Sequence, residues 1–310
     1  MPDAMTTQAL ANRPANGSAH RRVRVTAGAL RQQLAAAVVA LLSLKNPALA
    51  AAPTDVAKPV DSAIASCEVS VVDQTQRSAA CLVMAGELMD KAHRYYLEGD
   101  ASTAQSYLER AGRISPDDLR LSLEQALVDD ASGHPLQARK RYDLLRGTSL
   151  EREAAARSAA NFAVLGRFDE ARKAFTALSG SADDTEAGYA QLWILWLDAR
   201  TWHGGASALR EKLAQNTVGL RAGNAWQQAL LNLYAGQGSA DAVFAAIKAS
   251  TSENSPQRRD ARAEAAFFAG GYLQYAWGDT EAAKRLYRRE LPQSGASAER
   301  VLIQQFVDSI

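Results

Sequence analysis

The chain has 310 residues, 35 of them basic and 34 acidic, for a formal net charge of +1. Apolar residues make up 47 %, enough for a sizeable core, and glycine and proline are too few for a collagen-like or low-complexity chain. Alanine fills 63 positions; as the best helix former and a poor strand residue, it favours an all-α fold over any sheet.

Residues 1–50 carry Arg13, Arg21, Arg22, Arg24, Arg31 and Lys45 against one acid, Asp3. An uncharged run follows the arginines, Leu34 to Leu44, and then Ala48-Leu49-Ala50. A basic stretch, a short apolar run and a small-residue cleavage site are the pattern of a secretory signal peptide. The run is shorter than the about 20 apolar residues a membrane helix needs. The competing reading is an N-terminal amphipathic helix or an uncleaved anchor. The expected organisation is a signal peptide over 1–50, a largely irregular linker over 51–75 and a helical domain over 76–310. Sec export into the periplasm is expected, because the residues flanking Arg21-Arg22 fit the twin-arginine pattern poorly.

Residues 51–310 hold 29 basic and 33 acidic groups, a net −4. A mildly acidic domain lacks the basic face that nucleic-acid binding needs, so no nucleic-acid partner is expected. Ile64-Ala65-Ser66-Cys67 has the form of a lipobox, but Asp55, Lys58, Pro59 and Asp61 separate it from the apolar run, which argues against lipidation. Cys67 and Cys81 are the two cysteines. In an oxidising compartment their pairing would close a loop worth about 3 kcal/mol in the chain-entropy treatment; two unpaired thiols are the alternative. Their spacing is neither a redox nor a zinc motif.

From about Gln76 the pattern becomes helical and self-similar. The clearest unit runs through Leu88, Ala92, Tyr95, Tyr96, Gly99-Asp100, Ala104, Leu108, Ala111 and Pro116. Gly99 supplies the backbone conformation that ends one helix, Asp100 starts the next, and Pro116 closes the pair. Alanines at 92, 104 and 111 let the helices approach, with Tyr95 and Leu108 filling the space between. The arrangement returns around Gly133 with Ala138 and Tyr142, around Gly166 with Ala171 and Phe175, and around Gly278 with Ala283 and Tyr287. Gly205 and Gly238 stand at the intervening turn positions, with Ala208 and Ala242 out of register. Successive glycines are 34, 33, 39, 33 and 40 residues apart. The long steps coincide with polar stretches, Ser179–Thr185 and Ser250–Arg259, expected as lengthened loops.

These offsets resemble the tetratricopeptide repeat (TPR) family, whose period is 34 residues. The resemblance spans roughly residues 85–290, with four good units and two degenerate ones; Ala187 to Ser250 also reads as a more general α-solenoid. It implies a right-handed α-α superhelix of about six helical hairpins. Ser297 to Ile310 is expected as a C-terminal amphipathic capping helix, with Val301, Leu302, Phe306 and Val307 on its inner side.

Catalytic patterns are missing. His93, His134 and His203 have no metal-ligand spacing, and no phosphate-cradling, nucleophile-elbow or calcium loop is present. No cofactor, metal or catalytic residue is expected, and carboxylates such as Asp129-Asp130 and Asp183-Asp184 read as solvated. The family resemblance instead implies a concave groove lined by the first helix of each unit. Unit by unit this gives Met89, His93 and Tyr96; Leu123, Glu124, Leu127 and Asp130; Arg157 and Ala160; and Phe268 and Tyr272. Tyr95 and Tyr275 are expected in the core. Trp193, Trp196 and Trp202 read either as core between degenerate units or as an aromatic docking surface.

The resulting expectation is a periplasmic scaffold that engages a peptide or partner helix of another protein. The mature form carries no membrane span, and homo-oligomer formation is left open. Exported relatives of this type include adaptors of envelope and peptidoglycan assembly. Subunits of secretion or polysaccharide-export machinery are the second reading, and a glycan- or murein-cleaving enzyme is the third.

Overall fold

Why the chain turns where it does is set by a few residues that repeat. The computed structural model describes Ser66, Cys67 and residues 79–309, and the expected signal peptide lies outside the described residues. Among the described residues the fold is all-α, with no strand. Six consecutive helix pairs follow one another: α1 (Ala79–Glu98) with α2 (Ala101–Ile114), α3 (Leu119–Ala131) with α4 (Pro135–Leu144), and α5 (Glu151–Val164) with α6 (Phe168–Leu178). Then come α7 (Asp184–Arg200) with α8 (Ala206–Asn216), α9 (Ala225–Tyr234) with α10 (Ala240–Ser250), and α11 (Pro256–Gly271) with α12 (Thr280–Glu290). A last helix, α13 (Ala298–Asp308), ends the described chain.

In the first, second, third and fifth pairs the turn is the same device. Gly99, Gly133, Gly166 and Gly236 take positive φ, and the next residue's N–H reaches five residues back: Asp100 to Tyr95 at 2.9 Å, His134 to Asp129 at 2.8 Å, Arg167 to Phe162 at 2.8 Å and Gln237 to Asn232 at 2.9 Å. This closes the carbonyls that the helix end leaves open. Gly236, not Gly238, is therefore the turn glycine of the fifth pair, and Gly205 serves instead as an extended N-cap for α8. The sixth pair carries a π-helical turn, Tyr272–Ala276, so Asp279 must reach six residues back, to Leu273 at 3.0 Å. Side chains of Asp100, Asp118, Asp183, Asn224, Ser239, Ser255, Asp279 and Ser297 cap the helices that follow them, each worth about 1 kcal/mol. Ser255, with Pro256 at the first helical position, starts α11 earlier than the expected loop allowed, so Pro256–Arg259 is helix.

First helices of neighbouring pairs also touch: α1 with α3, α3 with α5, α7 with α9 and α9 with α11. The C-terminal helix departs from expectation. It packs on α11 and α12 as a cap would, but it also reaches back to α3 and α5. Of its expected inner residues, Val301, Leu302, Phe306 and Val307 are only half-buried; Ala298, Glu299 and Ile303 are the buried ones. Ahead of it, Ala296 is buried within the cluster formed by α1, α2 and α3. The last segment therefore ties the first helix pair to the last.

Cys67 and Cys81 form a disulfide with Cα atoms 5.6 Å apart, pinning the chain ahead of α1 to its first turn. A sulfur so paired carries no lipid thioether. Among the described residues no helix is long and apolar enough to cross a membrane.

Candidate functional site

The first helices and the C-terminal segment converge on one polar centre. Arg157 on α5 stands half-buried there, facing Tyr96 of α1, Tyr189 of α7 and Glu299 of α13. Its pKa is raised, chiefly by Tyr96 and then by Tyr189 and Glu299, against the desolvation that would lower it. Among the described residues, none accepts a hydrogen bond or forms a close ion pair with the Arg157 guanidinium. The Tyr189 hydroxyl donates to the buried Glu299 carboxylate. Tyr96 is buried and donates to the Ala296 carbonyl at 3.1 Å.

Two further acids face the centre from α11, one helical turn apart. Burial pushes the Asp260 carboxyl up, and Arg157 partly offsets it. Glu264 accepts from Trp226 Nε1 at 3.2 Å and Gln227 Nε2 at 2.9 Å, yet burial still lifts it to about 7. The linker before α13 passes so close to Asp260 that a Cβ on Gly295 would fall 2.2 Å from its Oδ1 and force that side chain to move. The Gly295 N–H donates to the Arg259 carbonyl at 3.1 Å.

The expected groove residues are scattered by this geometry. Met89, Phe268 and Tyr272 are buried in core clusters rather than open to a partner, and Ala160 and Leu123 are buried likewise. Tyr96 is covered by the chain's own Ala296, whereas Tyr95, expected in the core, is half-buried and stacks on Tyr107 at 5.5 Å. Tyr275, also expected in the core, is half-buried. Glu124 is buried and pairs with His93 across α1 and α3 at 2.9 Å, which raises the His93 pKa. Asp130 accepts from Tyr142 Oη at 3.1 Å and Asn161 Nδ2 at 2.7 Å, so it joins α3 to α4 and α5 instead of lining a groove. Burial lifts its carboxyl to about 7. Only Arg157 and His93 keep an open flank.

The tryptophans resolve between their two readings. Trp193 is fully buried, stacked on Phe175 at 4.9 Å and tilted against Phe267 at 4.9 Å; Trp196 lies 4.7 Å from Phe267. They are core. Gly271 is needed beside them, because a Cβ there would meet Trp196 Cδ1 at 2.5 Å.

Two clefts flank α13. One of about 440 Å³ lies between Tyr96, Gly99 and Gly133 on one side and Val301, Gln304 and Gln305 on the other. The second, about 280 Å³, lies between Trp196, Tyr275 and Tyr287 and the Leu302 and Phe306 side chains. Among the described residues no three His, Cys, Asp or Glu side chains are grouped to hold a metal ion.

Sequence reasoning passed over Tyr189, Asp260, Glu264 and Glu299. Their signal was faint but present: Asp260 and Glu264 are acids four residues apart on a helix whose neighbouring inner residues, Ala261, Ala265 and Phe268, are buried. Compared with known proteins, the chain matches no family model, and no curated protein aligns with it significantly.

Proposed function

We propose that the protein is a periplasmic protein-binding scaffold whose helix pairs wind as a right-handed TPR-like superhelix and whose inner surface holds a helix of a partner protein. The superhelix is supported by the turn geometry shared at Gly99, Gly133, Gly166 and Gly236 and by the contacts between successive first helices. Export is supported by the Cys67–Cys81 disulfide, a bond that persists in oxidising compartments.

One observation carries the binding reading: the inner helices already seat a helix, α13, and offer its buried acid a tyrosine donor and a guanidinium that no described residue pairs closely. Arginine and tyrosine are the residues that concentrate binding energy at protein interfaces. Within the envelope, such a scaffold would bring partner proteins together during peptidoglycan-related assembly.

The test is site-specific photo-crosslinking in envelope preparations. A photoreactive residue at Ser132, on the wall of the larger cleft opposite α13, is expected to capture a discrete protein partner, and Arg157→Ala is expected to abolish the capture. The same probe at Leu136, exposed on α4, should capture none. Capture at Leu136 alone would refute the inner-surface assignment. Murein or glycan hydrolysis by the purified chain, lost in Glu264→Gln, would replace the scaffold with an enzyme.

A further inference from the structure

α13 fits its seat poorly for a helix that joins the first helix pair to the last. Ala298, Glu299 and Ile303 are the side chains it buries, while Leu302, Phe306 and Val307 pack only partly against the aromatic cluster. The clefts of about 440 and 280 Å³ on its two flanks are space that its own Val301, Gln304 and Gln305 do not fill. A larger apolar side chain in a helix seated here would cover part of these open clefts and add dispersion contacts.

The polar end is also imperfect. Glu299 is buried near two other acids, Asp260 and Glu264, with Arg157 as the cation facing them. Among the described residues Arg157 makes no close ion pair with Glu299, so the buried carboxylate is held at short range by the Tyr189 hydroxyl, while burial favours the neutral forms of Asp260 and Glu264 beside it. The tether ahead of α13 holds by main-chain bonds: Gly295 N–H to Arg259, Tyr96 to Ala296, and Arg300 back to Ser294.

We propose that the seat between α3, α5, α11 and α12 is a binding site for an amphipathic partner helix, and that α13 is a resident occupant which the partner displaces. This rests on the scaffold reading of the same surface. The partner's chemistry follows from what the seat already accepts. An acid in the first turn takes the place of Glu299 between Tyr189 and Arg157. An aliphatic residue stands four positions on, as Ile303 does, and an aromatic seven on, as Phe306 does against Tyr287 at 5.3 Å. Where this chain has Val301 and Gln305, the partner carries larger apolar residues that fill the two clefts.

The probe is a fluorescent synthetic peptide spanning residues 294–310, titrated against the full chain and followed by anisotropy. In the full chain, Ile303→Asp unseats α13, and the peptide is expected to bind at least tenfold tighter than to wild type. A peptide carrying Glu299→Ala should bind about tenfold more weakly, and one carrying Val301→Leu with Gln305→Leu several-fold more tightly. A second variant locks the seat. An added Cβ at Gly295 lies 3.4 Å from Asp260 Cγ, so Asp260→Cys with Gly295→Cys places two sulfurs within bonding reach. The oxidised form should bind no peptide and the reduced form should bind it, with reduced wild type as the control for the native disulfide. Equal binding by locked and reduced forms would overturn the proposal, as would no gain from a folded Ile303→Asp chain. Should Ile303→Asp lose its helical circular dichroism, the cysteine pair decides alone. Peptide exchange without any partner captured at Ser132 would sink the scaffold reading; capture at Ser132 without exchange would sink only the displacement.

Discussion

Between α3 and α5 the interior is thin: Leu123, Ala126, Ala138, Tyr142, Leu145 and Ala154 are its buried apolar residues, and Asp130, Arg139 and Asn161 are buried beside them. From α5 to α13 the interior is continuous and aromatic, with Trp193 at its centre among Phe175, Phe267 and Phe268. Both regions join neighbouring helix pairs, but by different physics. In the thin region hydrogen bonds hold the geometry: Asn161 donates to Asp130 and to the Pro135 carbonyl at 2.9 Å, and Arg139 donates to the Ser158 carbonyl at 3.0 Å. In the aromatic region, buried area and shape do the same work. The Asp130 joint fixes one arrangement and responds to protons; aromatic contacts such as Trp193 on Phe175 ignore protons and punish any change of volume.

That contrast can be broken at either end. Trp193→Ala empties a fully buried site and is expected to cost about 3–5 kcal/mol, read as a fall in the urea midpoint. A loss under 1 kcal/mol would mean the aromatic region is not the main store of stability. Asn161→Ala strips a donor from Asp130 and from the Pro135 carbonyl, with an expected loss of about 1–3 kcal/mol. Were it to cost as much as Trp193→Ala, the polar joint would rival the aromatic one.

The dependence on pH separates the two regions by a different readout. Asp130 has its carboxyl lifted from 3.8 to about 7 in the folded chain, so folding favours its protonated form. Its contribution is complete below the unfolded value and lost as pH rises through the folded one. His93, also raised, contributes fully below its unfolded value and loses that contribution as pH rises through its folded one, and Glu264, lifted to about 7, adds the same trend as Asp130. Thermal stability should therefore fall between pH 5 and pH 8, by up to about 2–3 kcal/mol for each buried acid. Asp130→Asn should flatten this slope, while Phe267→Leu should lower stability equally at both pH values. An unchanged slope in Asp130→Asn would remove the proton from the account of the polar joint.

Much of the helix layout was legible beforehand because it depends on local chemistry. Gly99-Asp100 and Gly278-Asp279 declare a helix end and a helix start within two residues, and the recurring alanines mark close approaches. The π turn after Gly271 was not legible, since no local residue preference demands it. The destination of α13 was hidden for a different reason. Its sequence specifies an amphipathic face but not the surface that receives it, and Glu299 on that face reads as solvated until Tyr189 and Arg157 are brought to it from more than a hundred residues away. The burial of the expected groove residues was hidden by the same route: nothing in their spacing shows that Ala296 covers Tyr96 or that Tyr272 packs 5.1 Å from Tyr234.

The displaceable seat of α13 is tested most directly by native-state hydrogen exchange across residues 298–308 and 256–271 of the full chain. A resident helix that opens locally exchanges its amides at least a hundredfold faster than α11, and the gap narrows as low denaturant promotes global unfolding, to which the local opening is insensitive. Equal protection of α13 and α11, both exchanging only with global unfolding, would show α13 to be a permanent part of the core and would contradict the account.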